Sequence, residues 1–188
     1  PLLEVGYPRN DLLVRASHSS EAKLAIMANL NIPNVKRIIL YAPTWRETAE
    51  RKNGNYTFDT AFPFDEISQT LSENTILLVR MHYLVAQQFD FSSYGEQIKD
   101  VSVGFDMSDL LAISDLLITD YSSCLFDFAI TNKPMLFYIP DQEEYEKEMR
   151  GFYFPMENEM PGELVKSQKS LIEKLEKCKG SDFIILMT

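Results

Sequence analysis

The stretch "LLITDYSSCLFDFAI", residues 116–130, joins one apolar run to another through a short polar seam at 120–123. An apolar run without polar alternation is typical of a strand that is buried on both faces, as in a parallel sheet. The apolar segment after Ser123 predicts a helix, because serine is favoured where a helix begins. The stretch therefore predicts a strand followed directly by a helix, with its polar seam at the carboxyl end of the strand.

Strands and helices alternate along the rest of the chain. Apolar runs predict strands at residues 38–42, 75–84, 97–103, 115–120 and 134–141, after an extended piece at 1–11. Helical patterns occur at residues 17–32, 65–74, 107–114, 122–132, 142–150 and 162–178. This order predicts an α/β domain, a Rossmann-like parallel sheet with helices on both faces. We expect residues 1–188 to form a single domain.

Composition and charge narrow the class of protein. An apolar fraction of 45% is typical of a folded globular domain, and no segment has the ~20 apolar residues that cross a bilayer. The net charge of −10 argues against nucleic acid as a partner, because proteins of that class carry a positive surface for phosphates. The two cysteines have no metal-site spacing, and there is no glycine-rich nucleotide loop. We expect a cytoplasmic protein without a metal or a resident cofactor.

Ligands of open α/β sheets bind outside the carboxyl ends of the strands. Polar side chains follow four of the five predicted strands: Thr44, Arg46, Arg80, His82, Asp120, Ser122, Ser123 and Asp141. The two serines have two interpretations, since they either cap the helix or bind a phosphate with their hydroxyls and the free backbone N–H groups of the helix start. Asp120 would repel a phosphate, so it orients a ribose hydroxyl, accepts backbone hydrogen bonds or meets a cation.

His82 and two arginines are the other candidates. An imidazole at a strand end suits hydrogen bonding to a phosphate or proton transfer near neutral pH, although an ordinary histidine at the sheet edge fits the spacing as well. Arg80 alternates with His82, so we expect both side chains on the same face. Arg150 precedes Gly151, which lets the chain turn and direct the guanidinium, a group suited to phosphate.

Six blocks occur in a fixed order along the chain. They are "GYPRND" from residue 6, "ILYAPTWR" from 39, "RMH" from 80, "ITDYSSCLFDFAITNKPMLFYIPD" from 118, "RGFYF" from 150 and "PGELVKS" from 161. In these blocks the chain resembles the CDP-glycerol glycerophosphotransferases of teichoic-acid and capsule synthesis, and the resemblance covers residues 6 to about 175. The resemblance implies the carboxyl-terminal, nucleotide-binding half of a GT-B fold, with an amino-terminal acceptor domain missing from this chain.

The resemblance also implies an activity and roles for individual residues. Enzymes of this family transfer glycerol phosphate, or ribitol phosphate in relatives, from a CDP-activated donor to a hydroxyl of a polymer or a lipid-linked polyol-phosphate acceptor, and they release CMP. His82 would be the active-site histidine, and Ser122 and Ser123 would hold the donor phosphates. The other implied substrate contacts are Thr44, Arg46, Arg80, Asp120 and Arg150. Asp127 also matches the family pattern, but we expect it to be structural.

Several alternatives stay open at this stage. A GT-B glycosyltransferase or epimerase that uses a UDP-sugar, or a nucleotide-binding module without chemistry, would carry a similar sheet. Glycerol and ribitol enzymes, and primases and polymerases, share the same blocks. The resemblance implies a peripheral location at the inner face of the cell membrane for the full-length protein, and little activity for this chain alone.

Overall fold

The computed structural model describes residues 6–17, 19–32, 37–44, 51–52, 55–56, 61–82, 86, 89–143, 145 and 159–177. Within these residues six strands form one parallel sheet: β1 Arg37–Tyr41, β4 Thr75–Val79, β5 Ile98–Asp100, β6 Leu116–Thr119, β7 Met135–Tyr138 and β8 Glu163–Val165. Two short strands, β2 Arg51–Lys52 and β3 Asn55–Tyr56, pair separately and antiparallel.

The strand order across the sheet is β5-β4-β1-β6-β7-β8, which is the order of the Rossmann fold. The chain builds outward from β1 in one direction through β4 and β5, and then returns to build outward in the other direction from β6. The order therefore reverses between β1 and β6, and the carboxyl ends of these two strands flank the crevice in which such sheets bind ligands.

Alternating residues of the central strands face two separate cores. Ile38 and Leu40 of β1 lie in one core, while Ile39 and Tyr41 lie in the other. The first core is covered by α1 Asp11–Ser17, α2 Ser20–Asn29, α4 Met107–Ile113 and α5 Cys124–Ala129, and the second by α3 Phe64–Thr70 and α6 Gln168–Lys177. Helices on both faces of a parallel sheet confirm the predicted fold class.

The prediction of an extended amino-terminal piece is wrong in its described part. Residues Pro8–Asn10 form a 3-10 turn that leads directly into α1. The reason is visible in the spacing of Leu13 and Ala16, which are buried three residues apart on one helical face. The apolar neighbours Leu12 and Val14 concealed this helical spacing from the sequence analysis.

The predicted helix at 162–178 is also corrected, because its first part is the edge strand β8. Leu164 of β8 pairs with Phe137 of β7, and the helix α6 begins only at Gln168. A Cβ atom on Gly162 would lie 2.4 Å from the carbonyl oxygen of Met135, so a residue without a side chain is needed where the chain enters β8. A strand of three residues is too short to show a period of two in the sequence.

Candidate functional site

Asp120 joins the two loops that flank the crevice between β1 and β6. Asp120 is the first residue after β6 and is only 2% exposed. One oxygen, Oδ1, accepts hydrogen bonds from the backbone N–H of Thr44, at 2.8 Å, and of Tyr121, at 2.6 Å. Nearby, the Thr119 hydroxyl donates to the Ala42 carbonyl at 2.7 Å. Of the three interpretations of Asp120, the structure supports the one in which it accepts backbone hydrogen bonds.

Ser122 and Ser123 lie between this carboxylate and α5. The Ser122 hydroxyl accepts from the Cys124 N–H at 3.4 Å, which is long for a hydrogen bond. Ser123 is exposed, and its side chain makes no capping hydrogen bond to the described residues of α5. Helix capping therefore explains little about these two hydroxyls, and both lie beside the predicted ligand crevice.

The loop after β6 is also tied to the loop after β7. The Tyr121 hydroxyl donates to Asp141 Oδ1 at 3.1 Å, and the Tyr121 ring stacks on Tyr145 with 3.6 Å between the ring centroids. Sequence analysis missed Tyr121 and Tyr145, because a stacked aromatic pair 24 positions apart leaves no local pattern. These contacts hold the backbone of the serine-bearing loop from the side opposite to Thr44.

Arg80 and His82 lie at the carboxyl end of β4, the strand next to β1. The Arg80 guanidinium donates through Nη1 to the carbonyl oxygens of Val101, at 2.7 Å, and Ser102, at 2.6 Å. His82 is half-buried, and its burial lowers the pKa of the imidazole below the ordinary value, which favours the neutral ring. The structure thus places both side chains at the predicted edge of the sheet, with Arg80 bonded to the loop after β5.

Asp127 binds the amino-terminal segment to α5. Asp127 is buried, and its carboxylate accepts from Arg9 Nε at 3.2 Å, from Arg9 Nη2 at 3.1 Å and from Asn10 Nδ2 at 2.8 Å. A two-pronged arginine–carboxylate pair is among the stronger side-chain contacts in proteins. Asp127 therefore has a structural contact in the described residues, as its place one turn into the helix suggested.

The structure brings Thr44 and Asp120 into direct contact and places Ser122 and Ser123 in the next residues of the same loop. Arg46 and Arg150 lie outside the described residues. Among the residues that are described, no group of three or more His, Cys, Asp or Glu side chains could hold a metal ion. No helix in the described ranges is long and apolar enough to cross a membrane.

Known proteins match this chain along nearly its whole length. The chain is 44% identical over 182 residues to the teichoic acid poly(glycerol phosphate) polymerase of Bacillus subtilis (strain 168), covering 97% of this chain and 24% of that protein. It is 43% identical over 175 residues to the teichoic acid glycerol-phosphate transferase of Staphylococcus aureus (strain NCTC 8325 / PS 47), covering 93% of this chain and 44% of the relative. The chain thus spans less than half the length of these relatives.

A solved structure gives the same result. The wall teichoic acid polymerase TagF, in a variant soaked with CDPG, superimposes with a TM-score of 0.83 at 38% identity, covering 93% of this chain and 42% of that one. The family model described as CDP-Glycerol:Poly(glycerophosphate) glycerophosphotransferase matches residues 1–183, which confirms the resemblance that the six sequence blocks carry. This chain belongs to the CDP-glycerol:poly(glycerophosphate) glycerophosphotransferase family.

Proposed function

We propose that this chain is the donor-binding domain of an enzyme that transfers glycerol phosphate from CDP-glycerol to a hydroxyl of a teichoic-acid-type acceptor and releases CMP. The observation that carries the proposal is the position of Ser122 and Ser123. They follow β6 at the Rossmann switch point, in a chain whose family transfers glycerol phosphate. A relative solved after a CDPG soak, and two relatives named for glycerol phosphate, support this donor over a ribitol one.

In this proposal the diphosphate of the donor lies between the loops after β1 and β6. Ser122 and Ser123 donate hydroxyl hydrogen bonds to its oxygens, and Thr44 approaches from the β1 side. Asp120 contacts the loops themselves and keeps them together, since Oδ1 already accepts from Thr44 N–H. Arg46 and Arg150, which lie outside the described residues, remain predicted phosphate ligands. Arg80 also remains one, through guanidinium N–H groups other than those on Nη1.

The proposed reaction is an attack of the acceptor oxygen on the β-phosphorus of the donor. The new bond joins this oxygen to phosphorus, the bond from phosphorus to the oxygen of CMP breaks, and CMP leaves with the bonding electrons. Hydrogen-bond donors and cations stabilise the negative charge that develops in such a transfer. His82 would donate a hydrogen bond from its neutral ring to the transferring phosphate or to the leaving oxygen, which agrees with the direction of its pKa shift.

The remaining parts of the enzyme belong to the proposal as well. We infer that an amino-terminal acceptor domain faces this one across a cleft and supplies the base that takes the proton of the attacking hydroxyl. The acceptor would be a lipid-linked polyol phosphate, which would bring the full-length protein to the inner face of the cell membrane. Primase and polymerase activities differ only in the acceptor, so both are compatible with the donor site.

Calorimetric titration tests the donor. We expect CDP-glycerol and CDP to bind more tightly than UDP-sugars. Ser122→Ala with Ser123→Ala should weaken binding about 100-fold or more, since each hydrogen bond from a hydroxyl to a charged phosphate oxygen contributes roughly 1.5–3 kcal/mol. A matched control is the exposed pair Ser92 and Ser93 in the 3-10 turn before β5, whose double alanine variant should bind normally. Tight binding of a UDP-sugar with no preference for cytidine would refute the proposal.

A further inference from the structure

The turn after β5 holds the chain segment that leads to His82. Ser102 lies in this turn, and its side chain is only 4% exposed. Its hydroxyl oxygen accepts a hydrogen bond from the Met81 N–H at 2.9 Å, and it lies 3.5 Å from the Val79 carbonyl oxygen. The backbone N–H of Ser102 in turn donates to Asp100 Oδ1 at 2.8 Å, which fixes the turn itself.

A second set of bonds connects the same two segments. The Arg80 guanidinium donates to the carbonyl oxygens of Val101 and Ser102, and the Val101 N–H donates to the Val79 carbonyl at 2.9 Å. On its other side, the Arg80 N–H donates to the Tyr41 carbonyl at 2.8 Å, so the segment is held between β1 and the turn after β5. The two residues that precede His82 are thus both bonded to neighbouring strands or turns.

The Ser102 bond is the last of these contacts before the imidazole. Met81 is 2% exposed, so its N–H has no access to water that could replace the serine hydroxyl. The backbone at Met81 sets the direction in which the next residue leaves the sheet. Loss of the hydroxyl would release this backbone, while Thr44, Ser122 and Ser123 lie in the loops after β1 and β6 and make no bond to Ser102 in the described residues.

We propose that Ser102 is a positioning residue for His82, whose hydroxyl fixes the Met81 backbone so that the imidazole sits where phosphoryl transfer requires it. This inference rests on the proposed catalytic role of His82. A misplacement of about 1 Å costs roughly 10²-fold in rate, so Ser102→Ala should lower kcat about 10–100-fold in the full-length protein. The KM for CDP-glycerol should stay within about twofold, because the serines that hold the phosphates are untouched.

Ser114→Ala is the matched control. Ser114 is fully buried, and its hydroxyl donates to the Leu110 carbonyl at 2.6 Å. It lies before β6, at the end of the strands opposite to Ser102. Each variant removes one buried hydroxyl, but of these two serines Ser102 alone bonds to the segment before His82. Ser102→Thr keeps a hydroxyl at the same position and should recover at least part of the lost kcat.

A measurement independent of activity uses the two histidines of the chain, His18 and His82. In this chain labelled at histidine, the NMR spectrum should contain one imidazole Cε1–H signal for each of the two histidines, and His82→Gln identifies the one from His82. We expect Ser102→Ala to move the His82 signal, and Ser114→Ala to leave it unchanged. If Ser102→Ala fails to fold, Asp100→Ala tests the same turn, because Asp100 is exposed and its carboxylate accepts the Ser102 N–H that fixes the turn.

The outcomes separate this inference from the proposed function. A His82→Gln variant with a normal rate would contradict the catalytic role of His82, whatever Ser102 does. A large loss of rate in His82→Gln, with an unchanged signal or an unchanged kcat in Ser102→Ala, would overturn the positioning role alone. An equal loss of kcat in Ser102→Ala and Ser114→Ala would also overturn it, since that result would reflect general destabilisation. Asp100→Ala with a wild-type spectrum and rate would count against it as well.

Discussion

Replacement of Asp120 tests the contact that joins the two sides of the crevice. In Asp120→Ala the backbone N–H groups of Thr44 and Tyr121 both lose their acceptor, Oδ1, at 2.8 and 2.6 Å. Asp120→Asn is the matched variant, because its amide oxygen can accept the same two backbone hydrogen bonds without the negative charge. The pair of variants therefore separates the hydrogen bonds from the charge.

The magnitudes follow from the type of hydrogen bond. Bonds to a charged group contribute roughly 1.5–3 kcal/mol each and neutral ones roughly 0.5–1.5 kcal/mol. Two bonds to a carboxylate that is 2% exposed predict a loss of about 4 kcal/mol in the free energy of unfolding for Asp120→Ala. Asp120→Asn keeps two neutral bonds in their place and should lose about 2 kcal/mol.

Urea denaturation followed by circular dichroism measures these losses, with an unchanged slope as the sign that the folded and unfolded states are otherwise the same. Asp106→Ala is the control, because Asp106 is exposed and its carboxylate caps α4 by accepting the Ser108 N–H at 2.8 Å. Loss of such a cap costs about 1 kcal/mol. A loss below about 1 kcal/mol for Asp120→Ala, or equal losses for its alanine and asparagine variants, would refute the account of Asp120 as the acceptor that joins the loops.

Three further predictions concern the stability and titration of the fold. Gly162→Ala should cost about 1–3 kcal/mol in urea denaturation, because the new Cβ would meet the Met135 carbonyl at 2.4 Å; a neutral effect would contradict the tight entry to β8. The hydrogen bond to Asp65 raises the pKa of Tyr94 to about 12, and burial raises that of Tyr138 to about 12. Both phenols stay protonated in the folded state up to about pH 12, whereas tyrosine in the unfolded chain ionises near pH 10. The free energy of unfolding should therefore fall as the pH rises from about 10 towards 12. A spectrophotometric titration in which every tyrosine ionises near pH 10 would contradict this prediction. Burial raises the pKa of the Cys124 thiol, so in a Cys178→Ser background a thiol reagent should label it slowly in native protein and quickly in urea; equal rates would count against its burial.

The sequence predicted those parts of the fold that depend on local pattern. The apolar runs that form β1, β4, β6 and β7 are buried on both faces, and that type of strand has a distinct signature. The alternation of strands and helices then restricted the sheet to the doubly wound class. The edge strand β8 escaped detection, because its three residues and the helix after them form one continuous amphipathic pattern.

The candidate site was predicted in its location more than in its contacts. The rule for carboxyl ends of strands placed Thr44, His82, Ser122 and Ser123 at one edge, since it depends only on topology. The partners of Asp120 and Arg80 could not be predicted, because they are backbone groups of loops whose course is set by tertiary packing. The pair of Arg9 with Asp127 spans 118 positions, and a separation of that size leaves no pattern in a single sequence.

Mapping of amide signals during titration with CDP-glycerol tests the central claim, that the donor diphosphate binds between the loops after β1 and β6. We expect saturable shifts at Thr44, Ser122 and Ser123. A contrasting cationic site lies at the amino ends of the strands. There the Nζ atoms of Lys23 and Lys133 lie 2.9 Å and 3.8 Å from Oδ1 of Asp115, the residue before β6. Shifts confined to those lysines and Asp115, with none at the two serines, would contradict the claim.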